Sequence, residues 1–108
     1  MKNQKTEYPV MALRETLRQQ AVEKATRINR SVARLTSCEL LPCPEYDEEV
    51  HFQFTLAEEL MYLQNCRSAL EKCIDAGSAV LRFRRSNGTV TVIRFRMIGP
   101  ARVRVWGL

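Results

Sequence analysis

Residues 78–108 of this chain hold no aspartate and no glutamate, and the whole chain has one histidine, one tryptophan and four scattered glycines. Glycines so dispersed make no phosphate-cradling loop of the kind that opens a nucleotide-binding helix. His51 stands with no nucleophile at catalytic spacing, so hydrolytic and redox chemistry have no visible machinery. The chain reads as non-enzymatic and calls for no cofactor. No apolar run approaches the roughly eighteen residues of a membrane span, and the start MKNQKTEYPV lacks the apolar centre of a secretion signal. The expectation is a cytoplasmic protein without a membrane partner, its four cysteines reduced.

The cysteines do not suggest a metal site. Cys66 and Cys73 are seven residues apart on a predicted helix, about 10 Å along its axis. That is too far for both to reach one zinc ion through bonds of about 2.3 Å. Cys38 and Cys43 could pair with His51 or a helix cysteine, but nothing requires it. The acidic cluster Glu45, Asp47, Glu48 and Glu49 reads as a solvated loop rather than a divalent-ion site.

What the chain does have is charge in blocks. Residues 1–37 carry eight Lys/Arg against three Glu, residues 38–77 two against nine Asp/Glu, and residues 78–108 seven arginines against none. Such segregation means either surfaces that face anions or an acidic middle folded back over basic ends. At 108 residues there is room for one domain, 1–108, and a pI near 9.3 leans toward anionic partners.

Along the chain, residues 1–8 read as a flexible leader. Leu13, Leu17, Ala21, Ala25, Ile28, Val32 and Leu35 recur in steps of three and four, which predicts a helix over 9–36. At about 40 Å it is longer than a compact domain of this size needs, so it invites a partner. A homodimer through this helix is the expected state. Its Arg14, Arg18, Lys24, Arg27, Arg30 and Arg34 spread around the non-apolar arc with Glu15 and Glu23, as a solvated face would.

Residues 37–49, SCELLPCPEYDEE, read as an acidic, proline-containing loop. Val50, Phe52 and Phe54 alternate with His51 and Gln53, which predicts a short strand that joins a sheet edge or pairs with its own copy. Thr55 and Glu58 form a capping-box pattern opening a second helix. Leu56, Leu60, Leu63, Leu70 and Ile74 mark that helix's buried face, and Gly77 ends it.

The basic end reads as a three-stranded antiparallel meander, and its register decides where the arginines go. A two-residue turn at Asn87-Gly88 would put Arg94 and Arg96 on the same face as Leu81 and Phe83, burying charge at high cost. A three-residue loop, Ser86-Asn87-Gly88 with a left-handed Gly88, shifts the pairing by one and exchanges the faces. Leu81, Phe83, Thr91, Ile93 and Phe95 then share the core side. A matching loop at Ile98-Gly99-Pro100 sets Arg96 opposite Arg102 and Arg94 opposite Arg104. Arg82, Arg84, Arg94, Arg96, Arg102 and Arg104 lie together on the outer face, with Trp106 beside them.

The fold expected is α+β in the order α-β-α-β-β-β, with the helices on one sheet face. Like charges opposite one another destabilise a sheet, so the arginine face calls for a negative counterpart. Nucleic acid phosphate is one candidate, with guanidinium groups on phosphates and Trp106 as a stacking or anchoring ring. The alternative is an inhibitor or adaptor module docked on an acidic protein, and a third candidate is the chain's own acidic segment, residues 45–49. No motif assigns the chain to a family. Its size, basic character and want of catalytic signatures are in keeping with the small accessory proteins of phages and mobile elements.

Overall fold

A computed structural model describes residues 5–37 and 43–108, without the side chains of residues 35–37 and 43–47. The elements are β1 (Lys5–Pro9), α1 (Val10–Ser37), α2 (Cys43–Ala76), β2 (Ser78–Arg84), β3 (Val90–Met97) and β4 (Arg102–Trp106). The strands form one antiparallel sheet in the order β1-β4-β3-β2. The α+β class stands, with both helices on one face of the sheet, but the element order differs from the expected one in three places.

The supposed flexible leader becomes β1 from Lys5 onward. β4 has a second edge to offer. Tyr8 points to the core side, and Pro9 is tolerated because an edge strand need not donate on its outer side. The Val10 N–H extends the junction by donating to the Ala101 carbonyl at 2.8 Å. The supposed acidic loop 37–49 is helical from Cys43. Pro44 falls in the first turn of α2, where a missing N–H costs nothing. The expected loop residues 38–42 lie outside the described residues.

The third correction is the strand expected at 50–54, which is part of α2. Its alternation was misleading, because Phe54 is 72% exposed and Phe52 is half-buried beneath the Arg27 guanidinium, 5.5 Å from the ring centre. With the helix running through, Thr55 caps nothing. Its hydroxyl donates to the His51 carbonyl at 3.0 Å, one turn back in mid-helix.

At 34 residues α2 outruns the 28-residue α1 and lies antiparallel to it. Arg14 near the start of α1 pairs with Glu71 near the end of α2 at 2.7 Å. At the other end, Glu49 accepts hydrogen bonds from the Ser31 hydroxyl and from Arg34, and Gln53 donates to the same serine at 3.1 Å. Ser31 is thereby fully buried yet satisfied. The apolar stripe of α1 is covered from within at Leu13, Leu17 and Ala21 and partly at Ala25 and Ile28, while Val32 remains exposed. The hairpin overhangs the sheet, which gives the molecule its 56 Å length against 27 and 21 Å in the other directions.

The core forms where the open end of the hairpin, the start of α1 and the end of α2, meets the sheet. Leu13 and Leu17 of α1, Leu63, Cys66, Leu70 and Cys73 of α2, and Ile93, Phe95, Val103 and Val105 of the sheet are all buried there. Gly77 closes α2 with a positive φ of 93° and donates to the Cys73 carbonyl at 2.7 Å. Burial pushes the Cys66 thiol up to about 11, so it behaves as a small apolar side chain.

The β2–β3 turn is the three-residue loop expected. Arg85 N–H donates to the Thr89 carbonyl at 2.8 Å, and Gly88, with a φ of 90°, donates to the Arg85 carbonyl at 2.9 Å. Asn87 Oδ1 accepts from the Thr89 amide at 3.0 Å and holds the loop shut. The β3–β4 turn corrects the expected pairing. Its loop is Gly99-Pro100-Ala101, closed by Ile98 N–H donating to the Arg102 carbonyl at 3.1 Å. Pro100, which cannot donate, sits at the loop's centre. Arg96 is therefore opposite Arg104, and Arg94 opposite Trp106. The pairing has slid by two residues, and a slide of two leaves every side chain on its expected face.

These placements set opposite costs for two phenylalanines in urea unfolding. Phe95→Ala, at a fully buried site, is expected to remove about 3–5 kcal/mol of stability. Phe54→Ala is expected to change it by no more than about 0.5 kcal/mol.

Candidate anion-binding face of the sheet

The helices occupy one side of the sheet, and no described element covers the other. Ser78, Val80, Arg82 and Arg84 of β2 point to that free side, with Val90, Val92, Arg94 and Arg96 of β3, Arg102, Arg104 and Trp106 of β4, and Lys5, Glu7 and Pro9 of β1. All six arginines expected on one face are there, and so is Trp106. Arg82, Arg84, Arg94, Arg96 and Arg102 are exposed, while Arg104 and Trp106 are half-exposed.

Cross-strand register sorts this face into rows about 7 Å apart, with neighbours in a row about 5 Å apart. One row reads Ser78, Arg96, Arg104, Glu7. The next reads Val80, Arg94, Trp106, Lys5. Above it Arg82 stands beside Val92, then Arg84 beside Val90, and below the first row Arg102 stands beside Pro9. A shallow concavity of about 770 Å³ runs between Val80, Arg82, Val92, Arg94, Arg96 and Trp106.

One carboxylate reaches this face among the described residues. Glu7 lies opposite Arg104, with Oε2 3.4 Å from Nη2, and Arg104 Nε is shielded from solvent with no hydrogen-bond acceptor. Among the described residues, Arg82, Arg84, Arg94, Arg96 and Arg102 have no carboxylate within ion-pair distance. Four carboxylates of the acidic block are engaged elsewhere: Glu49 on α1, Glu71 on Arg14, and Glu58 and Glu59 on the β2–β3 turn.

The seventh arginine of the basic end shows the same parity from the other side. Arg85 falls in register with the core-facing Phe83, and α2 neutralises it. Its Nη1 donates to Glu59 at 2.6 Å, and its guanidinium lies 4.8 Å from the Tyr62 ring centre and 5.5 Å from that of Phe83. Tyr62 and Phe83 meet edge to face at 5.5 Å, and burial raises the Tyr62 hydroxyl above its ordinary range.

Lys5 and Glu7 belong to the face but were hidden by reading residues 1–8 as a leader. The signal for them was the alternation of Lys5 and Glu7 with Thr6 and Tyr8. His51 is exposed on α2, beside Phe54, Met61 and the β2–β3 turn. Among the described residues no three of His, Cys, Asp and Glu gather as a metal ion would need, and no helix is long and apolar enough to cross a membrane. No protein-family model, curated protein or solved structure matches the chain.

The turn that sets the face has an acid-sensitive anchor. The Ser86 amide donates to the Glu58 carboxylate, which lowers that group below its ordinary 4.5. A lowered carboxylate contributes above its unfolded value and is lost as pH falls through the folded one. Protection of the Ser86 amide in NMR hydrogen exchange is therefore expected to persist down to pH 4.5 and to be lost only at lower pH, as the lowered carboxylate takes up its proton. In Glu58→Gln that titration should vanish.

Proposed function

We propose that this chain is a non-enzymatic nucleic-acid-binding protein that holds phosphate groups on the free face of its sheet. Arg82, Arg84, Arg94, Arg96, Arg102 and Arg104 are the phosphate contacts and Trp106 is the anchoring ring. One observation carries the reading: five exposed arginines share a face and none has a carboxylate partner among the described residues. Arg96 opposite Arg104 adds to it. Like charges in that position cost a few tenths to about 1 kcal/mol, and a bound anion removes that cost. The reading needs no second copy of the chain, since α2 already covers most of α1's stripe. A cytoplasmic location would go with such a partner.

An acidic protein is the second reading, and the valines favour it. Val80 is 59% exposed among the arginines, with Val90 and Val92 exposed as well. A mixture of arginine and apolar side chains is common at protein interfaces.

Fluorescence anisotropy with labelled DNA and RNA decides between them. Binding is expected at 50 mM salt and should weaken by orders of magnitude by about 200 mM, as counterion release requires. The double variant Arg94→Glu, Arg96→Glu should abolish it, while Lys24→Gln on α1 leaves it unchanged. No detectable binding to any nucleic acid at low salt would sink the first reading.

A further inference from the structure

We infer that the occupant of this face is a single polynucleotide strand laid diagonally across the sheet, from the end of β2 to the start of β4. The inference rests on the phosphate-binding reading above and adds the form and path of the nucleic acid.

The path follows from register alone. β2 and β3 run in opposite directions, so Arg84 and Arg82 lie in the upper two rows of β2, beside Val90 and Val92. One row lower the cation has moved across to β3, where Arg94 stands between Val80 and Trp106. In the row below, Arg96 and Arg104 are neighbours on β3 and β4, and Arg102 follows one row further down on β4. The order is Arg84, Arg82, Arg94, Arg96, Arg104, Arg102. Four row steps and two strand steps make a stripe about 30 Å long, a single arginine wide except where Arg96 and Arg104 stand side by side.

Two features fix the form. First, the stripe is a single file. A duplex presents phosphates in two rows separated by a groove about 6 or 12 Å wide, and this face has one row of arginines to receive them, with Lys5 standing apart beyond Trp106. Second, one flank of the upper stripe is an apolar shelf made of Val90, Val92 and Trp106. A single strand has bases free to lie against such a shelf beside its backbone, whereas the bases of a duplex are stacked inside. Glu7 closes the Arg96–Arg104 row on the β1 side, so the anionic path cannot continue along that row and turns down to Arg102.

The tryptophan is unique in the chain, so its fluorescence reports this face directly. Oligothymidylates of increasing length are expected to quench it, with affinity climbing until the strand spans on the order of six phosphates and then levelling. The slope of log K against log salt should be near −4, about 0.7 per phosphate neutralised on a single strand. An oligothymidylate annealed to its complement should bind at least tenfold more weakly at the same salt. Arg84→Gln and Arg102→Gln, at the two ends of the file, should each shorten the length at which affinity levels by about one nucleotide. Lys24→Gln with Arg30→Gln on α1 should not. Duplex bound as tightly as single strand, or binding with no quenching of Trp106, would overturn the diagonal path while leaving phosphate binding intact. No binding of either form at low salt, with an acidic polypeptide binding instead, would overturn both.

Discussion

Everything on the free face depends on the parity set by one turn. The extra residue in the Ser86-Asn87-Gly88 loop, accommodated by the positive φ of Gly88, puts even-numbered residues of β2 and β3 on the same side. Because side chains alternate strictly along a strand, that choice sends Arg82, Arg84, Arg94 and Arg96 outward as a set and Leu81, Phe83, Ile93 and Phe95 inward as a set. The cost of burying a guanidinium without a partner enforces it. Arg85, the one arginine on the inward parity, has Glu59, Thr91, Tyr62 and Phe83 gathered around it. The outward arginines have no such company among the described residues.

The helical hairpin settles where the negative charge goes. Residues 38–77 are strongly acidic, and folding them as a helix against α1 directs Glu49 and Glu71 to arginines of α1. Glu58 and Glu59 reach the underside of the β2–β3 turn rather than its top. The sheet separates the two charge systems. Self-neutralisation therefore operates between the helices and at the turn, and among the described residues Glu7 is the one carboxylate paired on the arginine face.

The arginine face was legible in the sequence because period-two alternation and turn chemistry are local, and each of two turns could be tested against the cost of a buried charge. The exact pairing at the second turn was not. Loops of Ile98-Gly99-Pro100 and Gly99-Pro100-Ala101 differ by two residues in register and give identical faces, so burial could not choose between them. Residues 50–54 misled because Val-His-Phe-Gln-Phe alternates as a strand would, while its true setting depends on Ser31 and Arg27 of a distant helix. Thr55 and Glu58 have the residue types of a capping box, yet they serve a mid-helix carbonyl and a remote turn. β1 was illegible for a related reason: five mixed residues ending in proline make a strand only because β4 is there to receive them.

The pairing of β1 with β4 also orders events in time. Glu7 and Arg104 are 97 positions apart, the widest separation of any ion pair described. Closing so long a span delivers its contacts only after the intervening chain has been organised, which slows the step relative to local pairings. α1 with α2, and β2 with β3, can each form from neighbouring sequence as the chain lengthens. Val103 and Val105 of β4 complete the core, and contact order makes β1, which pairs only with β4, the slowest strand to dock. Until β1 docks the sheet is unfinished and its open edge is β4, lined on its outer face by Arg102, Arg104 and Trp106.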